Sequence, residues 1–246
     1  MSNEPLAYRM RPKMLDDVIG HRDFIGPETT LYKMIQKGHV PSMLLYGEPG
    51  IGKTSLAFAI AGTSKLPFYA LNATRAGKKD VEDIVIEANL QGTVLLFLDE
   101  IHRFNKLQQD TLLPHVESGK VILIGATTEN PFHDVNPAIR SRCGEIKQLK
   151  RLTNHDLINL LNRALKDEKR GLGHYKIKIA NEQLEKIAIA SNGDGRKALT
   201  LLESAYYASD EVEDVAIIKD RTLDQLAERI GVYGDKKGSQ FYNLLS

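Results

Sequence analysis

Four short apolar runs, at 43–46, 68–71, 94–98 and 121–125, punctuate the first part of this chain. Between them stand segments whose apolar positions recur on one helical face. Val81, Ile84, Val85 and Ala88 form one such stripe, and Leu107, Thr111, Leu112 and Val116 form another before Ser118-Gly119. Continuous apolar runs suit strands buried on both faces, and their alternation with helical stripes predicts βαβ units and a parallel sheet. Ile146 and Leu149 mark a short last strand. After Leu152 the pattern changes. Thr153-Asn154 reads as a helix start, with helix to about Glu168, and Arg170-Gly171-Leu172-Gly173 breaks it. Further helices are predicted near 181–191, 195–208 and 222–230, with no strand beyond Tyr175–Ile179. The pattern thus predicts an α/β domain over 1–152, a small helical domain over 153–232, and a mobile stretch over 233–246 that is rich in glycine and lysine.

The turn after the first run carries chemistry. Gly47-Glu48-Pro49-Gly50-Ile51-Gly52-Lys53-Thr54 fits the phosphate-loop pattern G-x-x-x-x-G-K-[ST]. It lies between a strand, Met43-Leu44-Leu45-Tyr46, and a helix running from Ser55 to Ala61, which is the context the motif needs. Glycines let the backbone curl so that its N–H groups face phosphate oxygens beside a positive helix end. Gly47, Pro49, Gly50, Ile51, Gly52, Lys53, Thr54 and Ser55 are therefore the candidate phosphate cradle. Lys53 would reach the β- and γ-phosphates, and the Thr54 hydroxyl would take a place on Mg²⁺.

The third run, Val94-Leu95-Leu96-Phe97-Leu98, ends in Asp99-Glu100. An acid at the carboxyl end of a central strand lies where open α/β sheets bind ligands. Asp99 would hold Mg²⁺, mostly through water, and Glu100 would polarise the attacking water as general base. Together the two motifs make a nucleoside triphosphate with Mg²⁺ the predicted ligand pair and its hydrolysis the predicted reaction.

Composition narrows the alternatives. The 246 residues are 42% apolar and 26% charged, ordinary values for a globular protein. Net charge is +1, so contact with nucleic acid must come from local patches. Cys143 is the single cysteine, which excludes an intrachain disulfide and a cysteine-rich zinc site. No second ligand falls at metal spacing beside His102. No run is long enough to span a bilayer, no signal-peptide pattern opens the chain, and the predicted compartment is the cytoplasm.

Longer stretches resemble a known family. Pro5-Leu6-Ala7-Tyr8-Arg9-Met10-Arg11-Pro12 and Leu15-Asp16-Asp17-Val18-Ile19-Gly20-His21 are similar to the opening of AAA+ ATPases of the RarA/MgsA group. These are replication-associated recombination factors related to the eukaryotic Werner-helicase-interacting protein. Asp99-Glu100-Ile101-His102-Arg103-Phe104-Asn105-Lys106-Leu107-Gln108-Gln109-Asp110 and Gly125-Ala126-Thr127-Thr128-Glu129-Asn130-Pro131 resemble the group most specifically. Holliday-junction motors of the RuvB type share Asp-Glu-Ile-His-Arg but not its continuation.

The resemblance alone implies that the nucleotide is ATP. It also implies a five-stranded parallel AAA+ sheet with a helical lid, and further roles. Thr128 aligns with sensor 1. Asn72 matches the position that can hold the catalytic glutamate inactive, although an asparagine after a strand is also a common turn residue. Arg142 resembles the arginine finger that reaches a neighbouring subunit's nucleotide, with Arg140 as its competitor. Arg196 matches sensor 2 on the lid, and Arg9, Val18 and Ile19 belong to the adenine side. Arg75, Lys78 and Lys79, read as a polar loop after the second strand, are candidates for DNA in a ring's central channel.

The implied partners are DNA at single-stranded ends or forks, single-stranded-DNA-binding protein and replisome components. Family members form homo-oligomers through a helical domain beyond this sequence, so the chain reads as an ATPase core and lid. Other readings are an ATP-dependent conformational switch, a clamp-loader-like subunit and a branch-migration ATPase. The last would need a winged-helix end.

Overall fold

The computed structural model describes residues 4–229, so the predicted mobile stretch over 233–246 lies outside the described residues. The chain forms two compact units. One is Pro12–Lys150; the other joins the first eleven residues to the chain from Arg151 onward. The division thus falls two residues before the expected Leu152, and the opening residues group with the later unit.

The first unit is built on five parallel strands, β1 (Met43–Tyr46), β2 (Phe68–Asn72), β3 (Val94–Asp99), β4 (Val121–Thr127) and β5 (Glu145–Gln148). Their spatial order is β2-β3-β4-β1-β5. Alternate side chains of the apolar runs enter separate cores. Met43, Leu45, Leu95 and Phe97 join Leu56 and Ile60 on one face. Leu44, Leu96 and Leu98 join Val81, Ile84 and Leu112 on the other. Burial on both faces explains why these strands lack polar alternation. The strand order puts β1 between β4 and β5, and β3 between β2 and β4. The carboxyl ends of β1, β3 and β4 therefore lie side by side, where the chemistry-bearing motifs sit.

Helices Lys53–Ser64, Lys78–Gln91 and Lys106–Glu117 connect the strands. Gly62 allows an unusually close approach, since a Cβ there would lie 1.9 Å from the Lys13 carbonyl oxygen. The buried Thr63 hydroxyl accepts the Leu15 N–H at 2.9 Å. These contacts pin the segment leading to Val18 and Ile19 against the helix that follows the phosphate loop.

The second unit is mainly helical, with Asn154–Lys166, Asn181–Ser191, Gly195–Tyr207 and Asp220–Arg229. Thr153 and Asp156 cap the first reciprocally: the Thr153 hydroxyl accepts the Asp156 N–H, and the Asp156 carboxylate accepts the Thr153 N–H. Leu157, Leu161 and Ala164 line one face and pack with Leu184, Ile187, Leu199 and Leu202. Leu6 and Met10, from the short helix Leu6–Arg9 and its cap, belong to the same core.

This unit also carries a small sheet: β6 (Ile177–Lys178) falls within the expected strand at Tyr175–Ile179, whereas β7 (Asp210–Val212) and β8 (Val215–Ile217) were not predicted by the sequence pattern. The β7–β8 turn places Glu213 and Asp214 at positive φ, 51° and 61°. Hairpin turns of this kind usually signal themselves with Asn-Gly or Asp-Gly, and Glu-Asp hides the signal. No helix among the described residues is long and apolar enough to cross a membrane.

Candidate nucleotide site

The phosphate loop holds its shape through backbone conformations that side chains resist. Gly47, Gly50 and Gly52 have φ of 137°, 81° and 99°. The Gly47 N–H donates to the Thr127 carbonyl at 3.2 Å, tying the loop to the end of β4. Ile51 is buried and packs into the core, so it shapes the loop from behind. The helix Lys53–Ser64 follows at once, leaving the first-turn N–H groups at Lys53, Thr54 and Ser55 for a ligand. Lys53 is itself buried, and its ammonium donates to the Gly47 and Glu48 carbonyls at 2.6 and 2.9 Å. Burial lowers the lysine's pKa, while the Asp99 and Glu100 carboxylates pull it back upward. The parallel order β3-β4-β1 brings both acids, at the end of β3, to the same edge of the sheet as the loop.

Asp99 ends β3, and its Oδ1 accepts the Glu100 N–H at 3.1 Å. Glu100 sits at φ 54°, in the left-handed region, where a non-glycine residue is uncommon. A single 3-10 turn, Ile101–Arg103, follows. Ile101 is fully buried under Gly125, where an added Cβ would come within 2.9 Å of the Ile101 Cδ1. Glycine at that point of β4 is therefore what lets the acidic turn seat.

Two residues that the sequence analysis gave no role complete this corner. The Thr127 hydroxyl, fully buried at the end of β4, lies 2.7 Å from the His102 Nδ1. The same nitrogen is 3.5 Å from a Glu100 carboxylate oxygen. Thr128 follows, half-buried, and its hydroxyl has no hydrogen-bond partner among the described residues. Asn72 is paired in register with Asp99, but its carboxamide oxygen accepts from the Thr74 N–H at 2.9 Å and the Thr74 hydroxyl at 2.5 Å. It is engaged as a turn residue.

Val18 and Ile19 are half-buried on the segment pinned by Gly62 and Thr63. His21 Nε2 lies 3.3 Å from the Ile51 carbonyl and ties that segment to the phosphate loop.

Arg142 is turned onto its own subunit. It donates to the Ala138 carbonyl at 2.9 Å and to Glu117 at 3.2 Å, and its buried Nε has no partner among the described residues. Arg140 donates to the Pro131 and Phe132 carbonyls and stacks over the Phe132 ring, 5.6 Å from its centroid.

In the helical unit, Arg9 has its guanidinium committed to the Glu4, Arg170 and Gly171 carbonyls and to Glu203. Arg196 is exposed in the first turn of Gly195–Tyr207, where Asp194 caps the backbone N–H groups of Arg196 and Lys197. Lys78 and Lys79 open the helix Lys78–Gln91 and are not loop residues, whereas Arg75 lies exposed before it.

The chain matches the family described as "ATPase family associated with various cellular activities (AAA)" over residues 43–151 and the AAA C-terminal domain over residues 172–246. It is 46% identical to the replication-associated recombination protein A of Bacillus subtilis, across 99% of this chain and 58% of that one. This chain belongs to the replication-associated recombination protein A family of AAA+ ATPases. The family's reach into eukaryotes shows in the ATPase WRNIP1 of Dictyostelium discoideum, 36% identical across 98% of this chain and 30% of that one. A solved RuvB Holliday junction branch migration motor from Thermotoga maritima superposes with a TM-score of 0.73 at 27% identity, covering 90% of this chain and 73% of that one. The chain spans about half the length of the bacterial family members it matches.

Proposed function

We propose that this chain is the core of a magnesium-dependent ATPase acting on DNA in replication and recombination, with hydrolysis completed between subunits of a homo-oligomer. One observation carries the reading: a glycine loop opening a helix after β1 stands at the same edge of the parallel sheet as Asp99 and Glu100 at the end of β3, whose carboxylates attract the Lys53 ammonium. A triphosphate would take over the two carbonyl contacts that Lys53 makes within the loop. One carboxylate at Asp99 and one hydroxyl at Thr54 form a hard, oxygen-only donor set, which suits an ion that keeps waters and phosphate oxygens as its remaining ligands. Held by Thr54 and Asp99, such an ion would supply positive charge to offset the charge building up during transfer.

Glu100 then takes the proton of the attacking water, and the unpaired Thr128 hydroxyl orients that water or the γ-phosphate. Val18 and Ile19 flank the adenine. Arg9, with its donors occupied, anchors the opening segment. Arg142 serves a neighbour's nucleotide once it leaves Glu117, and Arg196 senses nucleotide from the lid.

DNA as partner is supported by the names of the relatives and of the RuvB structure. The exposed Arg75, Lys78 and Lys79 are its proposed contacts, with single-stranded-DNA-binding protein and replisome components as further partners at the nucleoid. The test is ATP turnover by the full-length protein, with and without forked DNA, in the wild type, Lys53→Ala and Glu100→Gln. Lys53→Ala should lose nucleotide binding, and Glu100→Gln should bind ATP but hold it unhydrolysed. Turnover that Glu100→Gln does not reduce would instead favour a nucleotide-gated switch, and turnover indifferent to DNA would remove the DNA role.

A further inference from the structure

We propose that His102 is a positioning residue that fixes the Glu100 carboxylate through its ring nitrogen Nδ1, itself held by Thr127. The inference rests on the reading of Glu100 as the base for hydrolysis and adds the device that aims it. Six polar or charged residues are buried among the described residues, and four of them have structural work elsewhere. Thr63 holds Leu15, Gln109 holds Phe104 and Asn136, Gln183 holds Ala180 and Ile218, and Ser191 bonds back to Ile187. The other two, Lys53 and Thr127, face the nucleotide site.

Thr127 is fully buried, and its oxygen already accepts the Glu129 N–H at 3.0 Å. At 2.7 Å from His102 Nδ1, it forms the shortest link from β4 to the acidic turn. Two arrangements of that nitrogen suit Thr127, whose hydroxyl can accept a proton carried on Nδ1 or donate its own to a bare Nδ1. With a proton on Nδ1, the ring donates to the Thr127 oxygen and presents the same positive edge to Glu100 at 3.5 Å. With Nδ1 bare, the ring accepts the Thr127 hydroxyl proton and turns no positive edge to Glu100, so the restraint belongs to the ring with its proton on Nδ1. The histidine side chain is only 8% exposed, so water does not compete freely for the contact. The turn is also fixed from below by the buried Ile101 and at its start by the left-handed Glu100 backbone. Nδ1 therefore restrains the part of Glu100 that the backbone leaves free, the rotation of its side chain.

A general base must stand within hydrogen-bond reach of its water, and misplacement by an ångström costs about 10²-fold in rate. Asparagine offers a test of atom identity. Its amide sits where the histidine Nδ1 sits, whereas the glutamine amide reaches one bond farther, toward the Nε2 position.

In the full-length protein, kcat for ATP hydrolysis and the Kd for Mg-ATP would be measured for His102→Ala, His102→Asn, His102→Gln and Thr127→Val. His102→Ala should lower kcat by about 10- to 100-fold and leave Kd within about twofold, because Lys53 and the glycine loop are untouched. His102→Asn should recover several-fold over His102→Ala, His102→Gln should not, and Thr127→Val should show a smaller loss in the same direction. In a Glu100→Gln background, His102→Ala should change the residual turnover by less than about twofold.

Equal kcat for the Ala, Asn and Gln variants would overturn the proposal, as would a full loss that persists in the Glu100→Gln background. If His102→Ala does not fold, the Asn and Gln variants alone decide. Unreduced turnover in Glu100→Gln by itself would strike at the base assignment, a signature distinct from a failed Asn rescue.

Discussion

Gly47→Ala is the substitution whose effect can be worked most directly from the geometry. Gly47 adopts φ 137°, which an alanine takes only with strain of about 1–3 kcal/mol. An added Cβ would also meet the Ile51 Cδ1 at 2.6 Å and the Leu149 carbonyl oxygen at 2.7 Å. The Ile51 methyl can move aside. The Leu149 carbonyl cannot move as easily, since its residue is tied to Tyr46 by a backbone hydrogen bond of 2.9 Å. Strain and overlap together would cost the nucleotide-competent loop about 2–4 kcal/mol, which is about a 30- to 1,000-fold fall in its population.

The loop can relax to escape the clash, so the cost should appear as weaker binding of Mg-ATP and not as global unfolding. Calorimetric titration with nucleotide, paired with guanidinium unfolding, separates the two. Gly38→Ala is the control: φ is 81° there, but nothing lies within 4 Å of the new Cβ, so it should lose about 1 kcal/mol of stability and no affinity. Affinity within threefold of wild type for a folded Gly47→Ala would refute the claim that this loop conformation is the binding-competent one.

Further outcomes follow from other sites. Arg142→Ala should leave nucleotide binding by the isolated chain unchanged and lower turnover of the assembled protein by about 10³- to 10⁵-fold; weaker binding by a monomer would refute action in trans. Its stability should change by less than about 1 kcal/mol, because the Glu117 partner is 64% exposed. Asp167 accepts the N–H groups of Lys169 and Arg170 and the Arg170 guanidinium, so Asp167→Ala should destabilise the helical unit by about 1–3 kcal/mol in urea unfolding. Burial raises the Asp167 pKa, but those donors outweigh it and hold the carboxyl below its usual range. Its contribution is therefore present at neutral pH and lost as pH falls through the carboxylate range, and the acid limb of the stability profile should flatten in Asp167→Ala. Burial pushes the Cys143 thiol up to about 12, so Ellman's reagent at pH 8 should label the folded protein far more slowly than the unfolded one.

Much of the α/β unit is legible in its sequence because two-sided burial leaves a plain trace. The runs at 43–46, 68–71, 94–98 and 121–125 each became a strand, with ends displaced by two residues at most. The phosphate loop and Asp99-Glu100 announce themselves through residue types that few other tasks require. The β7–β8 hairpin stayed hidden because β7 is exposed along its whole length and its turn lacks glycine. Thr127 and His102 were missed for another reason. A buried hydroxyl and a ring nitrogen acquire meaning only when β3 and β4 are paired, and neighbouring Thr128 looked equally suitable. Lys78 and Lys79 read as loop because their charge masks the helix start, where Gly77 donates its N–H to Asp80 at 2.7 Å.

The grouping of the opening residues with the later unit bears on how the polypeptide matures during synthesis. Leu6 is wholly buried and its N–H donates to Glu203, so a ribosome must add nearly two hundred residues before this greasy stub finds its seat. At about 5–20 residues per second the wait is roughly 10–40 s, long enough for a chaperone to hold the leading end while the nucleotide-binding half completes itself. An affinity tag fused in front of Met1 would ride on the late-closing body, and trimming the first ten residues as a dispensable tail would uncover its core.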